Sequence, residues 1–368
     1  MNRSMKNQQH DRKTGNVRGY VAFWGGLSLV SAMLLAAGAL AAVNVWSAQE
    51  GEAGVRTAHA VVVSDMAASG GSAVRFGTSG SSDTCPLYPA FPDASCTGWQ
   101  HTGVTLQTVP GQKTSGTGWN WEGSPFNYVK ITGNNAVVDG VDINGCVYVD
   151  VGVTTATIKN SRITGNCNYM IRLASPNTPI NLTVVDTEIV GGAVQMQGAG
   201  YTWLRVNAHG FSGKAAMTGS NATVEDSYIH DPTCTPPDHQ SGIGTNGGST
   251  GVVLRHNTVD MTPTECTSGG IANYDDFGAF HDILIEKNLI NSGGYCLKAG
   301  FEDNNAAGNS GMQVLSNVFG RKYFAECGSF GVVSNWMPSV SGNVWSGNTW
   351  GGGAAATGAH GIGDPANP

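Results

Sequence analysis

Apolar and polar positions alternate along this chain in short runs, and the runs recur. Ala156-Thr157-Ile158-Lys159-Asn160-Ser161-Arg162-Ile163 and Ile283-Leu284-Ile285-Glu286-Lys287-Asn288-Leu289-Ile290 are typical. In the first, a period of two turns Ile158 inward and Thr157 and Lys159 outward, which predicts a half-buried β-strand. The Asn or Asp that follows predicts a sharp turn, because these side chains tolerate left-handed backbone and bond their own main chain. A second apolar pair predicts a second short strand, followed by a Gly-rich connection. No window keeps a 3.6-residue period over the length a helix needs.

The unit apolar–x–Asn/Asp–x–x–apolar is marked by Asp139, Asn160, Asp186, Asn207, Asp226, Asn257, Asn288, Asn317 and Asn348, at steps of 21, 26, 21, 19, 31, 31, 29 and 31 residues. Repeats of about 20 to 30 residues with short strands and turn Asn predict an all-β fold, a right-handed parallel β-helix. A leucine-rich repeat needs a Leu spacing that is absent here, and a propeller blade needs about 40 residues or more. Stacked Asn160, Asn257, Asn288 and Asn317 are expected to form an amide ladder inside the solenoid. Composition agrees. Gly is 53 of 368 residues and charged residues are 12%, against a usual charged share of about 25%.

Six of the eight cysteines fall 7 to 10 residues past a marker: Cys146, Cys167, Cys234, Cys266, Cys296 and Cys327. Thiols at one phase of a repeat stack when the coils stack. Coils lie about 4.8 Å apart, within the Cα separation of about 4.4 to 6.8 Å that a disulfide accepts. The expected pairs are Cys146–Cys167, Cys234–Cys266 and Cys296–Cys327, with Cys85–Cys96 closing a Pro-rich loop. Cys266–Cys296 is also geometrically allowed, but it would strand Cys234 and Cys327 two coils apart. A metal site fits poorly, since no C-x₂-C occurs. Such a framework belongs in an oxidising compartment.

Residues 1–48 read as a signal peptide or a membrane anchor: a basic leader with Arg3, Lys6, Arg12, Lys13 and Arg18, an apolar stretch, and Ala39-Leu40-Ala41 as a cleavage signal. Residues 49–83, rich in Ala, Gly and Ser, read as a flexible stalk, 84–352 as the β-helix and 353–368 as a disordered tail. The protein is therefore expected to be secreted or extracellular, touching membrane only through its N-terminal segment. Without the leader, the 19 basic and 26 acidic residues fall to 14 and 25, a net charge of −11. That balance repels nucleic acid. It leaves a neutral polysaccharide as partner, or an acidic one bridged by Ca²⁺.

Several segments resemble a known family. Phe91-Pro92-Asp93-Ala94-Ser95-Cys96-Thr97-Gly98 and Val137-Val138-Asp139-Gly140-Val141-Asp142-Ile143 look like the opening of secreted right-handed β-helix repeat proteins common in actinobacteria, within the pectate-lyase-like superfamily. Asp238-His239-Gln240-Ser241-Gly242-Ile243, with Arg255-His256-Asn257-Thr258-Val259, is similar to that family's His-x-Asp-Gly-Ile-Gln…His-Asn-Thr-Ile stretch. Asn317-Val318-Phe319-Gly320-Arg321 and Trp345-Ser346-Gly347-Asn348-Thr349-Trp350 resemble its closing coils. The resemblance spans about residues 85 to 350 and implies the fold. The chain departs from the family pattern at Ser241, where an Asp is expected.

The three longest coils carry the candidate chemistry: His230, Asp231, Asp238 and His239 on the first, Tyr274, Asp275, Asp276 and His281 on the second, Lys298, Glu302 and Asp303 on the third. Stacked, they would form one patch. In β-elimination, Lys298 or His239 would remove a uronate C5 proton, with Asp275, Asp276 and Asp303 around a Ca²⁺ ion. In glycoside hydrolysis, Asp238 and Asp276 would be the acid and base pair. His230, Tyr274 and Glu302 would contact substrate. Asp275-Asp276 also reads as a solvated turn, and Lys298 as an outward strand residue. The expected function is cleavage of an extracellular or cell-wall polysaccharide, with non-catalytic glycan binding or adhesion as the alternative. Trp203, Trp336, Trp345 and Trp350 could stack on sugars or cap the solenoid ends.

Overall fold

The computed structural model describes residues 85–234, 236–237, 239–301 and 308–368 in full, and the backbone of Ala60–Ser64 and Ser72–Phe76. The chain divides into two compact units, Met1–Gly77 and Thr78–Pro368. In the first, Ala60–Ser64 and Ser72–Phe76 pair as an antiparallel hairpin, so the stretch expected to be a stalk contains a small sheet. The leader expected at residues 1–48 lies outside the described residues.

The second unit is a parallel β-helix. Its strands form three long sheets of nine, ten and eleven strands; each complete coil contributes one strand to each sheet, and the extra strands lie at the N-terminal end. Coil follows coil in register, so side chains at one phase lie over one another. In the ten-stranded sheet, Ile143, Ile163, Ile189, Ala208, Ile229 and Val259 form one inward column, all fully buried. In the nine-stranded sheet, Ile158, Val184, Trp203, Val224, Leu254 and Ile285 form another. Trp203 is therefore core, unavailable to a sugar, and its indole N–H points at Met196 Sδ, 3.2 Å away.

One backbone feature recurs in every coil. Between the nine- and ten-stranded sheets a single residue adopts left-handed backbone: Gly140, Asn160, Asp186, Arg205, Asp226, His256, Lys287, Ser316 and Gly347, with φ between 47° and 66°. A lone left-handed residue between two extended ones turns the chain sharply, at a steric cost for any residue with a Cβ. Asn160, Asp186 and Asp226 fill this corner as expected. Asn257, Asn288, Asn317 and Asn348 do not, because they stand one position later and point inward.

These four, all 3% exposed or less, form the ladder. Asn288 Nδ2 donates to Asn317 Oδ1 at 2.9 Å and to Leu254 O at 2.9 Å. Asn288 Oδ1 in turn accepts from the backbone N–H and Nδ2 of Asn257, at 2.9 and 3.0 Å. In the N-terminal coils the same position holds Ser161, Thr187 and Ser227, whose hydroxyls donate to the carbonyls of Lys159, Val185 and Glu225. Asn160 is outside the ladder and donates from Nδ2 to Asp139 Oδ1 at 2.9 Å.

All four disulfides form between the expected pairs, three between adjacent coils and Cys85–Cys96 across its loop, with Cα–Cα separations of 4.8, 6.5, 5.5 and 5.9 Å in chain order. At the N-terminal end, Trp119–Glu122 pairs antiparallel with Tyr128–Ile131 and closes the first coil, with Trp119 Nε1 donating to Val137 O. At the other end, residues 353–368, expected to be disordered, fold back over the last coil. His360 stacks on Trp350 with ring centroids 4.4 Å apart, Trp345 Nε1 donates to Ala366 O at 2.7 Å, and buried Arg321 donates to Gly351 O and His360 O. The physical reason is that the last coil presents open strand edges and an apolar end, which the returning tail covers.

The two kinds of turn Asn should respond differently to truncation. Asn288→Ala leaves buried carbonyl and N–H groups without partners and is expected to cost about 2–4 kcal/mol. Asn160→Ala, at a half-exposed corner, should cost about 1 kcal/mol. Thermal and denaturant midpoints check this, and equal losses at the two sites would contradict the ladder.

Candidate functional site

The structure spreads the expected polar patch over three sheets. His230 and Asp231 go to the outer face of the ten-stranded sheet. His239, Tyr274, Asp276 and Lys298 go to the eleven-stranded sheet. His281 opens the Glu286 strand of the nine-stranded sheet, exposed, with Nδ1 2.9 Å from Ser310 Oγ. Asp238, Glu302 and Asp303 lie outside the described residues.

On the ten-stranded face, His230 is held on both ring nitrogens, 2.8 Å from Asn207 Oδ1 and 2.8 Å from Asp231 Oδ2. Its ring stacks against Tyr228 and His209, at centroid separations of 4.0 and 5.0 Å. Next to this cluster the segment 85–103 crosses the coils as a strap. Arg205 grips Asp186 through Nε and Nη2, at 2.6 and 2.9 Å, and His101 Nε2 reaches the same carboxylate at 3.0 Å. Glu188 accepts from Trp99 Nε1 and Gln100 Nε2 and lies 3.1 Å from His209 Nε2. His256 bridges Asp226 Oδ1, at 2.5 Å, and Ala90 O, at 2.8 Å. This face is occupied by its own ion pairs and strap.

The eleven-stranded sheet carries a groove. In its outer column, Tyr148, Arg172, Gln197, Met217 and Gly244 follow one another in register. Gly244 has no room for a side chain, since a Cβ there would stand 1.7 Å from Ala272 O. A cleft of about 450 Å³ opens here, lined by Lys214, His239, Asn246, Tyr274 and Asp276 among others.

Lys214 is the residue that sequence reasoning missed. It opens the Lys214–Thr218 strand, in register with Val194 before it and Ser241 after it, and is only 6% exposed. Its ammonium donates to Asn246 Oδ1 at 2.9 Å and lies 4.5 Å from the centre of the Tyr274 ring. Lys298 Nζ lies 4.7 Å from the same ring, so Tyr274 has an amine against it from each of two lysines. Burial pulls the Lys214 pKa down to about 8, the Lys298 charge adds to the fall and the Asp276 carboxylate opposes it. His239 stands exposed at the mouth, with Nδ1 3.4 Å from Ser268 Oγ.

The two adjacent aspartates part company. Asp276 lines the cleft, whereas Asp275 is fully buried and accepts from Asn309 Nδ2 at 3.1 Å. The Gly278 N–H bonds back to Asp275 O in a turn that carries Asp276 out to the cleft while the Asp275 carboxylate stays inside, so the two do not face one site together. Asp275 is thus corrected from a catalytic and Ca²⁺-binding residue to a buried structural one. Among the described residues no three His, Cys, Asp or Glu side chains converge as a metal site, and Asp303, the third residue expected around Ca²⁺, lies outside them. Comparison with protein-family models, curated proteins and solved structures finds no match for this chain.

The strap should respond to pH in two directions. Burial works against the Asp186 and Glu188 charges, but hydrogen bonds from His101 and Arg205, and from His209 and Trp99, hold both below the ordinary 3.8 and 4.5. Their contribution is present above those values and lost as pH falls through the lower folded values. His256 is opposed by burial but raised above 6.5 by Asp226 and Ala90 O, so its contribution is present below 6.5 and lost as pH rises through the raised value. The Gly98 amide donates to Arg205 O, and its protection against exchange, taken relative to the intrinsic rate at each pH, should be greatest between about pH 4.5 and 6.5. Protection that does not change from pH 3 to pH 9 (roughly two units beyond either limit) would contradict this.

Proposed function

We propose that this protein is an exported polysaccharide lyase of the secreted β-helix family its motifs resemble, acting on a uronate-containing polymer in the groove of the eleven-stranded sheet. The observation that carries the reading is Lys214, a buried amine with its pKa pulled to about 8, facing an open cleft beside Tyr274 and Lys298. A general base works best with a pKa near the working pH, and burial in a low-dielectric wall is how an amine reaches one. The four disulfides suit an oxidising, extracellular setting. Among the described residues no helix is long and apolar enough to cross a membrane.

In this mechanism the neutral Lys214 amine takes the proton from uronate C5. The C5–H electron pair becomes the C4=C5 bond, the C4–O bond breaks, and the departing oxygen is protonated at the cleft mouth, where His239 stands. The Lys298 ammonium faces the sugar carboxylate and stabilises the charge that develops on it. Hydrolysis needs two carboxylates flanking the bond. Asp276 lines this cleft, and its expected partner Asp238 lies outside the described residues, so the choice of elimination rests on the Lys214 amine.

The cleavage limb of kcat/KM should rise with pH through about 8, because the base acts deprotonated. Lys214→Met should lower turnover by about 10²-fold or more without lowering the melting midpoint. Asp276→Asn, which removes a charge that raises the Lys214 pKa, should move the limb to lower pH, and Lys298→Met should move it to higher pH. Ultraviolet absorbance of the unsaturated product on a panel of uronate polymers reads all of these. Wild-type turnover by Lys214→Met would overturn the assignment. Binding without turnover of any polymer would favour a non-catalytic glycan-binding protein.

A further inference from the structure

The same groove holds a second feature, N-terminal to the Lys214 cleft. Phe126, Tyr128, Tyr148, Tyr169 and Arg172 line a cleft of about 430 Å³ whose wall includes the bridged pair Cys146 and Cys167. Tyr128 and Tyr148 lie with ring centroids 5.4 Å apart, and Phe126 and Tyr128 with theirs 5.6 Å apart. Phe126 is 61% exposed, and both tyrosines keep part of their surface in solvent. The core at these coils is already filled by Val129, Val147, Met170 and Ile171, all fully buried, so these rings do not serve it.

The cleft is continuous with the Lys214 site. It shares Tyr169 and Arg172 with a neighbouring cleft, which shares Pro176 and Gln197 with a third of about 520 Å³. That third cleft shares Met217 and Asn246 with the Lys214 cleft. Tyr148, Arg172, Gln197 and Met217 follow in register, so three coil steps, about 14 Å, separate the platform from Met217 beside Lys214. The bridge between Cys146 and Cys167 ties the coil of Tyr148 to that of Tyr169 and Arg172.

We infer that Tyr128, Tyr148 and Arg172 form a remote subsite for an anionic polysaccharide lying along the solenoid axis. The apolar faces of its sugar rings pack on the tyrosines and a sugar carboxylate pairs with Arg172. Rings held by two χ angles on strands offer a flat surface at low entropic cost, and a guanidinium matches a carboxylate in geometry and charge. Lys130, the neighbouring cation, is engaged by Asp150 at 3.2 Å. The choice of an anionic polymer rests on the proposed elimination chemistry, while the subsite itself is tested by binding. A chain gripped so far from the reacting bond is cut internally, and binding energy gained there lowers the barrier at Lys214.

Native electrophoresis through gels cast with polygalacturonate, polyguluronate or polyglucuronate tests the subsite without requiring turnover. Wild-type protein and Lys214→Met should be retarded equally by at least one of the three. Tyr128→Ala/Tyr148→Ala should bind that polymer at least about tenfold more weakly. Tyr128→Phe/Tyr148→Phe, which keeps the ring faces, should stay close to wild type, with melting midpoints confirming that all variants are folded. Wild-type retardation of the double Ala variant, or no retardation of wild type by any of the three, overturns the subsite. Retardation that depends on the tyrosines, in a protein that cleaves none of the polymers, would support the subsite and overturn the lyase reading.

Discussion

In-register parallel pairing between consecutive coils is the constraint on which the rest of this molecule depends. Each strand's backbone groups are satisfied by the coils on either side, and a coil alone buries almost nothing. Once register is set, a residue's phase in its repeat decides what lies next to it. Ile158 meets Val184 because Thr157 meets Thr183 and Lys159 meets Val185. Columns of identical chemistry become possible, and so do columns of identical error. A polar group buried at one phase must find its partner in the next coil, and Asn257, Asn288, Asn317 and Asn348 do so.

Register also explains the corner. A left-handed residue in every coil keeps the bend between two sheets at a constant place in the repeat. Arg205, His256 and Lys287 take φ near 50° at this corner, and the first two use their side chains to hold other segments. Arg205 clamps Asp186, and His256 joins Asp226 to the strap. The same backbone corner therefore shapes the solenoid and fastens its N-terminal segment.

The two polar faces differ in how their charges are used. On the ten-stranded sheet, Asp186, Glu188, His230 and His256 are answered by nearby partners and by the strap, so their chemistry goes into cohesion. On the eleven-stranded sheet, Lys214 is buried within a wall that opens onto a cleft, with an amide, an aromatic ring and a second lysine around it. Burial there lowers an amine's pKa and leaves space facing it. That combination separates a reactive position from a structural ion pair.

The repeat of alternating apolar runs and turn Asn/Asp determined the all-β parallel fold, and the phased cysteines, together with the need to leave no thiol without a partner, determined the disulfides. Local sequence could not separate the corner from the ladder. Asn160 and Asn288 sit in the same motif, yet a one-residue shift in phase puts the first outside and the second in the core. Nor could it find the site: Asp275 and Asp276 are neighbours that point opposite ways, and His230 and His239 lie nine residues apart on different sheets. Lys214 looked ordinary because its burial comes from Asn246 and Tyr274, 32 and 60 residues later in the chain. Which charges are buried, and which of them face open space, is a property of coils brought together, and only the tertiary structure decided it.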